Sequence, residues 1–368
     1  MSSAVPDTQL DSTFVNYADD HTSIDDWTGA DSTYSAPLPG GQDVWIYSDS
    51  FLGTVNADGS RSPVIQDGGT TPFINNSFVV TGNGALHRSP RASENPKVAT
   101  TGITTVTGGT AADPTALMPP PDADHWYWAR DGMVLNGKLD VIYSEFQTTG
   151  TGVFDFAWYR NVLAQFSLSN LSTPTSVTAL PSNDDVSWGA WLMQDGGYTY
   201  IYGTEDLGSV KYLHLARVSG QDLTQPWQYL TSSGTWSTTE TDSVRLSTDA
   251  SASISVSNEM SVVKHGNVYV LVTQDMSAPL SANIDLAYSC SPTGPFVDES
   301  TAYTTPETGA DGTYADANVY TYNPHEHPEL DSGNKLVISY NVNSFVNTDL
   351  YSNASIYRAR FITVTLSP

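Results

Sequence analysis

One pattern recurs five times along this chain and limits what it can fold into. A run of alternating or aromatic residues leads into a glycine turn, and a second β-rich run ends on a polar hydrogen-bond acceptor. The copies span Asp31–Asp49, Trp128–Glu145, Trp188–Glu205, Asn258–Gln274 and His327–Asn341. Their last turn glycines are Gly41, Gly137, Gly197, Gly266 and Gly333, and eight positions after each stands Asp49, Glu145, Glu205, Gln274 or Asn341. Gly, Asn and Asp in the turns supply the positive φ that tight hairpins require. Successive turns lie 96, 60, 69 and 67 residues apart, so the first gap carries an insertion.

A unit of about 65 residues holding a hairpin and two further strands is one blade of a β-propeller. The further strands are legible at Phe78–Val80, Leu163–Leu168, Tyr212–Val218, Ile284–Ser289 and Ile356–Ile362. The pattern predicts an all-β fold, a five-bladed β-propeller with four antiparallel strands per blade and a central axial pocket. A pair of β-sandwiches is the alternative, and equal polar closure of five hairpins argues against it. No segment sustains a 3.6-residue period, so helix is expected to be minimal. Residues 1–12 read as a disordered polar tail and residues 13–368 as one domain. Residues 13–18 are expected to supply the strand that closes the last blade on the first. The stretch 87–124, rich in Ser, Thr, Gly and Pro, reads as long loops around the second blade.

Charge narrows the partners. With 14 basic against 40 acidic residues the net charge is −26, and such a surface repels nucleic acid and anionic membranes. Hydrophobic residues make up 39% and charged residues 15%, which predicts a sizeable core rather than disorder. Cys290 is the single cysteine, so no internal disulfide can form and the core must hold the fold. No apolar run approaches the roughly 18 residues of a membrane helix. The Ser/Thr/Asn-rich, Lys-poor composition suits a secreted protein whose signal peptide is absent from this sequence. The expected partner is a carbohydrate, and the expected state is a monomer.

In a propeller, the start of each blade's first strand and the end of its second share one rim. The residues gathered there are the candidate site. Asp31, Asp49, Glu145, Glu205 and Glu259 are the candidate catalytic carboxyls, and Asn76, Trp128, Arg130, Trp188, His325, His327 and Asn341 the candidate substrate contacts. Crowded carboxylates raise one another's pKa, so one can hold a proton while another is ionised. Hydrolysis of a glycosidic bond needs that pair, an acid with a base or nucleophile. Indole faces suit the apolar faces of sugar rings, and amides suit their hydroxyls. A single carboxylate could merely cap a strand on a solvated surface; a five-fold set of polar closing residues in one register is harder to explain that way.

Other chemistries fit less well. His325-Glu326-His327 has the look of a metal pair, but Pro324 and Pro328 flank it, so a structural or substrate-contacting role is expected. A Ca²⁺ or other cation in the acidic channel is the alternative; no metal ligand is assigned and no cofactor is required. Cys290, before Ser-Pro-Thr-Gly, reads as a turn or core residue. There is no G-x-S-x-G elbow, and Gly68-Gly69 lacks the following helix that phosphate binding needs.

Two segments carry a family resemblance. Asp26-Trp-Thr-Gly-Ala-Asp-Ser-Thr-Tyr-Ser, followed by Leu38-Pro-Gly-Gly-Gln-Asp-Val-Trp-Ile-Tyr-Ser-Asp-Ser-Phe-Leu-Gly, resembles the opening of a group of five-bladed propeller glycoside hydrolases. That group includes actinobacterial endo-D-arabinanases and is distantly similar to the arabinanase, xylosidase and fructosidase propellers. Phe73–Val80, Leu213–Arg217 with Trp227-Gln-Tyr, and Leu286–Ser289 with Gly294-Pro-Phe are similar to it as well. The resemblance implies catalysis by first-blade aspartates, here Asp31 and Asp49, on an arabinan-like polysaccharide or oligosaccharide. The chain departs by reading Ser-Asp-Ser around Asp49 where Gly-Asp-Thr is usual, a change that keeps the carboxylate. A non-catalytic carbohydrate-binding propeller is the rival expectation. Its sites would repeat from blade to blade, whereas these rims differ.

Overall fold

The computed structural model describes residues 3–19, 23–82, 102–152, 155–248 and 252–367. It is all-β in its main architecture, and each recurring hairpin opens a separate antiparallel sheet. The first sheet runs Tyr34–Leu38, Gln42–Tyr47, Ser77–Thr81, Ile103–Val106. The second is His125–Leu135, Lys138–Thr148, Phe156–Ser167, Asn170–Ala179, and the third is Val186–Asp195, Tyr198–Asp206, Lys211–Ser219 with two short outer strands. The fourth is Ser261–His265, Val268–Gln274, Asn283–Ser289, Val297–Thr304. The fifth is Val319–Glu326, Lys335–Ser344, Ala359–Thr365 and, from the other end of the chain, Ser3–Pro6.

The turn chemistry does what the spacing asks of it. Leu135 pairs with Lys138 across Asn136-Gly137, whose φ values of 47° and 77° make the two-residue left-handed turn that matches strand twist. Apolar residues on successive sheets then fill the gaps between them. Ile142 and Leu163 of the second sheet meet Trp188, Leu192 and Ile201 of the third. Val270, Val272 and Leu286 of the fourth meet Leu336, Ile338 and Ile362 of the fifth. First strands pack on one another in chain order, and the fifth returns to the first through Tyr34 against His325, ring centroids 4.1 Å apart.

Four expectations are corrected. Closure of the fifth sheet falls to Ser3–Pro6, paired with Ile362–Thr365, rather than to residues 13–18. The expected tail is therefore ordered from residue 3, and Thr8–Asp19 is a helix. Asp7 caps it by accepting the Leu10 N–H at 3.2 Å, and Leu10, Phe14, Tyr17 and Ala18 fall on one buried stripe. In the fifth hairpin the first strand begins at Val319, so His325 pairs with Ser339, and Tyr322 takes the place opposite Asn341. Of the stretch 87–124 expected as loops, residues 87–101 lie outside the described residues, and the rest contains three short strands.

Phe14 anchors the helix between the fifth and first sheets, 4.8 Å from Trp45 and 5.3 Å from Phe361 between ring centroids. Phe14→Ala is expected to lower unfolding free energy by about 3–5 kcal/mol in urea denaturation. A loss below about 1 kcal/mol would show that this helix is not part of the core.

Candidate active site

Asp31 sits where the chain enters the first sheet, and Asp49 where the second strand of that hairpin ends. The Asp31 N–H donates to the Asp49 carbonyl at 3.3 Å, which sets the two side chains beside each other. Past Asp31 the backbone turns through Ser32 and Thr33, both left-handed at φ 70° and 64°. For a β-branched residue such as Thr33 that conformation is strained. Asn341 holds it there, its amide donating to Thr33 Oγ1 at 2.8 Å.

The two carboxyls have different surroundings. Asp31 Oδ2 accepts the Tyr322 hydroxyl at 2.6 Å, while Oδ1 is buried with no hydrogen-bond partner. Burial pushes the Asp31 carboxyl up to about 6, against the pull of the Tyr322 and Tyr357 phenols. Asp49 Oδ1 accepts the Trp128 indole N–H at 2.8 Å and the Asn75 amide at 3.0 Å. Burial, and then the charge of Asp31, raise Asp49 to about 7.

A third carboxyl joins them from the fourth sheet. Glu259 Oε1 accepts the Ser32 hydroxyl at 2.7 Å, so it is tied to the residue next to Asp31. Its Oε2 lies 3.4 Å from His325 Nε2, and neither atom has a hydrogen-bond partner. Burial pushes Glu259 up to about 8; the Arg130 guanidinium opposes the shift and Asp31 adds to it. Burial also holds His325 well below its ordinary pKa, so the imidazole beside Glu259 is neutral. Arg130 spans three sheets, donating to Ser144 Oγ, Ser187 Oγ and the Asn258 carbonyl.

Of the residues singled out in the sequence, Asp31, Asp49, Glu259, Trp128, Arg130 and His325 thus meet in one network. Asn341 supports the network through Thr33, and the others have partners elsewhere. Glu145 Oε2 accepts from Arg160 at 2.6 Å, and Glu205 accepts from Arg245 at 2.6 and 2.8 Å, a hydrogen-bonded pair that lowers its pKa. Trp188 is fully buried between the second and third sheets, its indole N–H on Glu240. Asn76 binds the backbone of Met118 and Tyr127. His327 bonds Ser339 through one ring nitrogen and Ser35 through the other, and burial drives it down to about 3. Tyr322, Tyr357 and Asn75 escaped the sequence reading. Tyr322 was outside the copy taken to begin at His327, and nothing in the local sequence marks Tyr357 or Asn75.

Comparison with known proteins comes down to fold and family. The family described as a domain of unknown function, DUF5005, matches residues 11–366. No curated protein sequence matches the chain. A candidate hydrolase of Bacteroides ovatus has a solved structure similar to this one: TM-score 0.75, 22% identity, 99% of this chain and 90% of that one covered. Looser likenesses include the catalytic domain of a Coprinopsis cinerea GH62 alpha-L-arabinofuranosidase (TM-score 0.46, 11% identity, 92% and 91% covered). Another is a GH43_1 enzyme of Xanthomonas citri solved with xylotriose (TM-score 0.46, 14% identity, 97% and 92% covered).

Each of the three carboxyls binds its proton more tightly in the folded chain than in the unfolded one. Between about pH 4 and pH 8 folding therefore takes up protons, and stability falls as pH rises. Glu259→Gln keeps an acceptor for Ser32 but has no charge to desolvate. Its melting temperature is expected to equal or exceed wild type near pH 8, with a shallower fall from about pH 5 than wild type shows. A steeper fall in the variant would refute burial as the origin of the shift.

Proposed function

This chain belongs to the DUF5005 domain family, and we propose that it is a glycoside hydrolase acting through Asp31, Asp49 and Glu259. The five sheets are read as the blades of a propeller with their first strands about the axis, supported by the packing of those strands on one another in chain order. The observation that carries the function is the trio of carboxyls, Glu259 buried and Asp31 and Asp49 half-buried, raised to about 8, 6 and 7. Groups so spaced can share out the acid and base roles near neutral pH.

Asp31 is the base or nucleophile. It ionises first, and the Tyr322 hydroxyl stabilises its charged form. Glu259 is the acid, because it holds its proton to the highest pH of the three. Asp49 acts through its charge on Asp31 and through its bond to Trp128. Half-buried Trp128 offers an aromatic surface beside the carboxyls, suited to the C–H face of a sugar. The proposed substrate is a furanose-containing, arabinan-like polysaccharide or oligosaccharide, and the support for it is the resemblance in residues 26–53.

The test is a panel of plant and microbial polysaccharides with products identified by mass. On the responsive substrate, kcat/KM should rise as Asp31 ionises near 6 and fall as Glu259 loses its proton near 8. Asp31→Asn should lower kcat by about 10²-fold or more without lowering the melting temperature. Sugar binding with no turnover on any polymer would overturn the enzyme reading in favour of a binding module.

A further inference from the structure

A second cluster of side chains lies at the turn end of the hairpins, where the fourth sheet meets the fifth. His265 closes the first strand of the fourth sheet, Glu326 ends the first strand of the fifth, and Asp331 follows in the connecting loop. One ligand atom from each lies within 4.8 Å of the others, the one such trio of His, Cys, Asp or Glu among the described residues. His265 Nε2 is 2.5 Å from Glu326 Oε1 and 3.8 Å from Asp331 Oδ2.

Glu326 is 1% exposed, yet its Oε2 has no hydrogen-bond partner, and Asp331 Oδ2 is buried in the same condition. The other Asp331 oxygen accepts the Val337 N–H at 2.8 Å, which fixes the orientation of the free one. Glu329 adds a third acidic group: its charge acts on Glu326, and the charge of Asp331 acts on it. Carboxylate oxygens withdrawn from water and facing each other need a proton or a metal cation between them. A neutral imidazole at the same point supplies the nitrogen that a metal would use.

We propose that His265, Glu326 and Asp331 bind a divalent cation of the zinc class that ties the fourth sheet to the fifth. One imidazole nitrogen with two carboxylate oxygens suits Zn²⁺, whereas Ca²⁺ and Mg²⁺ favour oxygen-only shells. Binding replaces the short His265–Glu326 hydrogen bond by two metal–ligand bonds of about 2.0–2.2 Å. The movement this needs falls to His265 and Asp331, whose side chains are 21% and 13% exposed and also give the ion its way in. The protons held by the carboxyl pair leave as the metal enters, so affinity weakens in acid.

The test uses the untagged chain with zinc chloride, read by titration calorimetry and thermal unfolding, with no substrate, so its outcome is independent of the glycosidase assignment. One zinc per chain is expected, with a rise in melting temperature of about 2–6 °C at roughly 100 times Kd, reversed by chelator. His265→Gln and Asp331→Asn, at partly exposed positions, should each fold and lose at least about tenfold in affinity. An unchanged wild-type melting temperature at about 1 mM zinc would overturn the proposal. So would an equal response from wild type and both variants, which would mean that the carboxyl pair shares a proton and zinc binds elsewhere.

Discussion

The two ends of the chain have to be joined before anything else in this molecule has a shape. An array of up-and-down sheets leaves an open edge at each end, and here the last sheet takes Ser3–Pro6 as its outer strand. The seam is sealed by more than the ladder. Asp7 N–H donates to the Phe361 carbonyl at 2.7 Å, Asp11 accepts the Phe361 N–H at 2.9 Å, and Arg358 meets Asp19 at 2.7 Å. The helix between these contacts buries Phe14 against Trp27, Trp45 and Phe361. The candidate site lies across the same closure: the Tyr322 hydroxyl reaches Asp31 over 291 residues of sequence, and Asn341 steadies Thr33 over 308. Opening the seam would therefore separate the groups that hold Asp31 in place.

Closure also explains why the carboxyls are so perturbed. Bringing Asp31, Asp49 and Glu259 together beneath a covering of Tyr322, Tyr357 and Trp128 removes water, and desolvation is the largest contribution to all three shifts. Their surroundings then differentiate them. Asp31 has a phenol donor, Asp49 an indole and an amide, and Glu259 a serine hydroxyl and a neutral histidine. Arg130 is the positive charge acting on Glu259, while its hydrogen bonds go to Ser144, Ser187 and Asn258. It moderates the acid without forming an ion pair that would abolish it.

The hairpins were legible because period-2 alternation and left-handed turn residues are both local properties. The N-terminal helix was not, because its apolar stripe of Leu10, Phe14, Tyr17 and Ala18 is spread through polar residues and is completed only by the rings it packs against. In the fifth hairpin, the register shift between Tyr322 and His325 broke the alternation that would have placed the strand start at Val319. The same limit applied to the site. Spacing located the rim positions in the first four hairpins, yet it is silent on what each side chain meets across the fold. Asp31, Asp49 and Glu259 were readable as candidates, while their separation from Glu145 and Glu205 depended on arginines elsewhere in the chain, Arg160 and Arg245.

Those arginines explain how a repeated framework yields one asymmetric site. Five polar residues close the second strands at equivalent positions, and four of them are paired or donate to groups within the protein. Arg160 neutralises Glu145 and Arg245 neutralises Glu205. Gln274 donates to the carbonyls of Ser281 and Thr321, and Asn341 to Thr33 and Ala30. Asp49 alone of the five is a carboxyl whose hydrogen-bond donors, Trp128 and Asn75, are uncharged, and its nearest charged influence is the like charge of Asp31. A half-buried carboxyl with no cation beside it is costly to fold around, so its position is the one in the repeat where proton chemistry near neutral pH is available. With Glu145 and Glu205 neutralised and the other two closing positions held by amides, that chemistry is left to the first hairpin, joined there by Glu259.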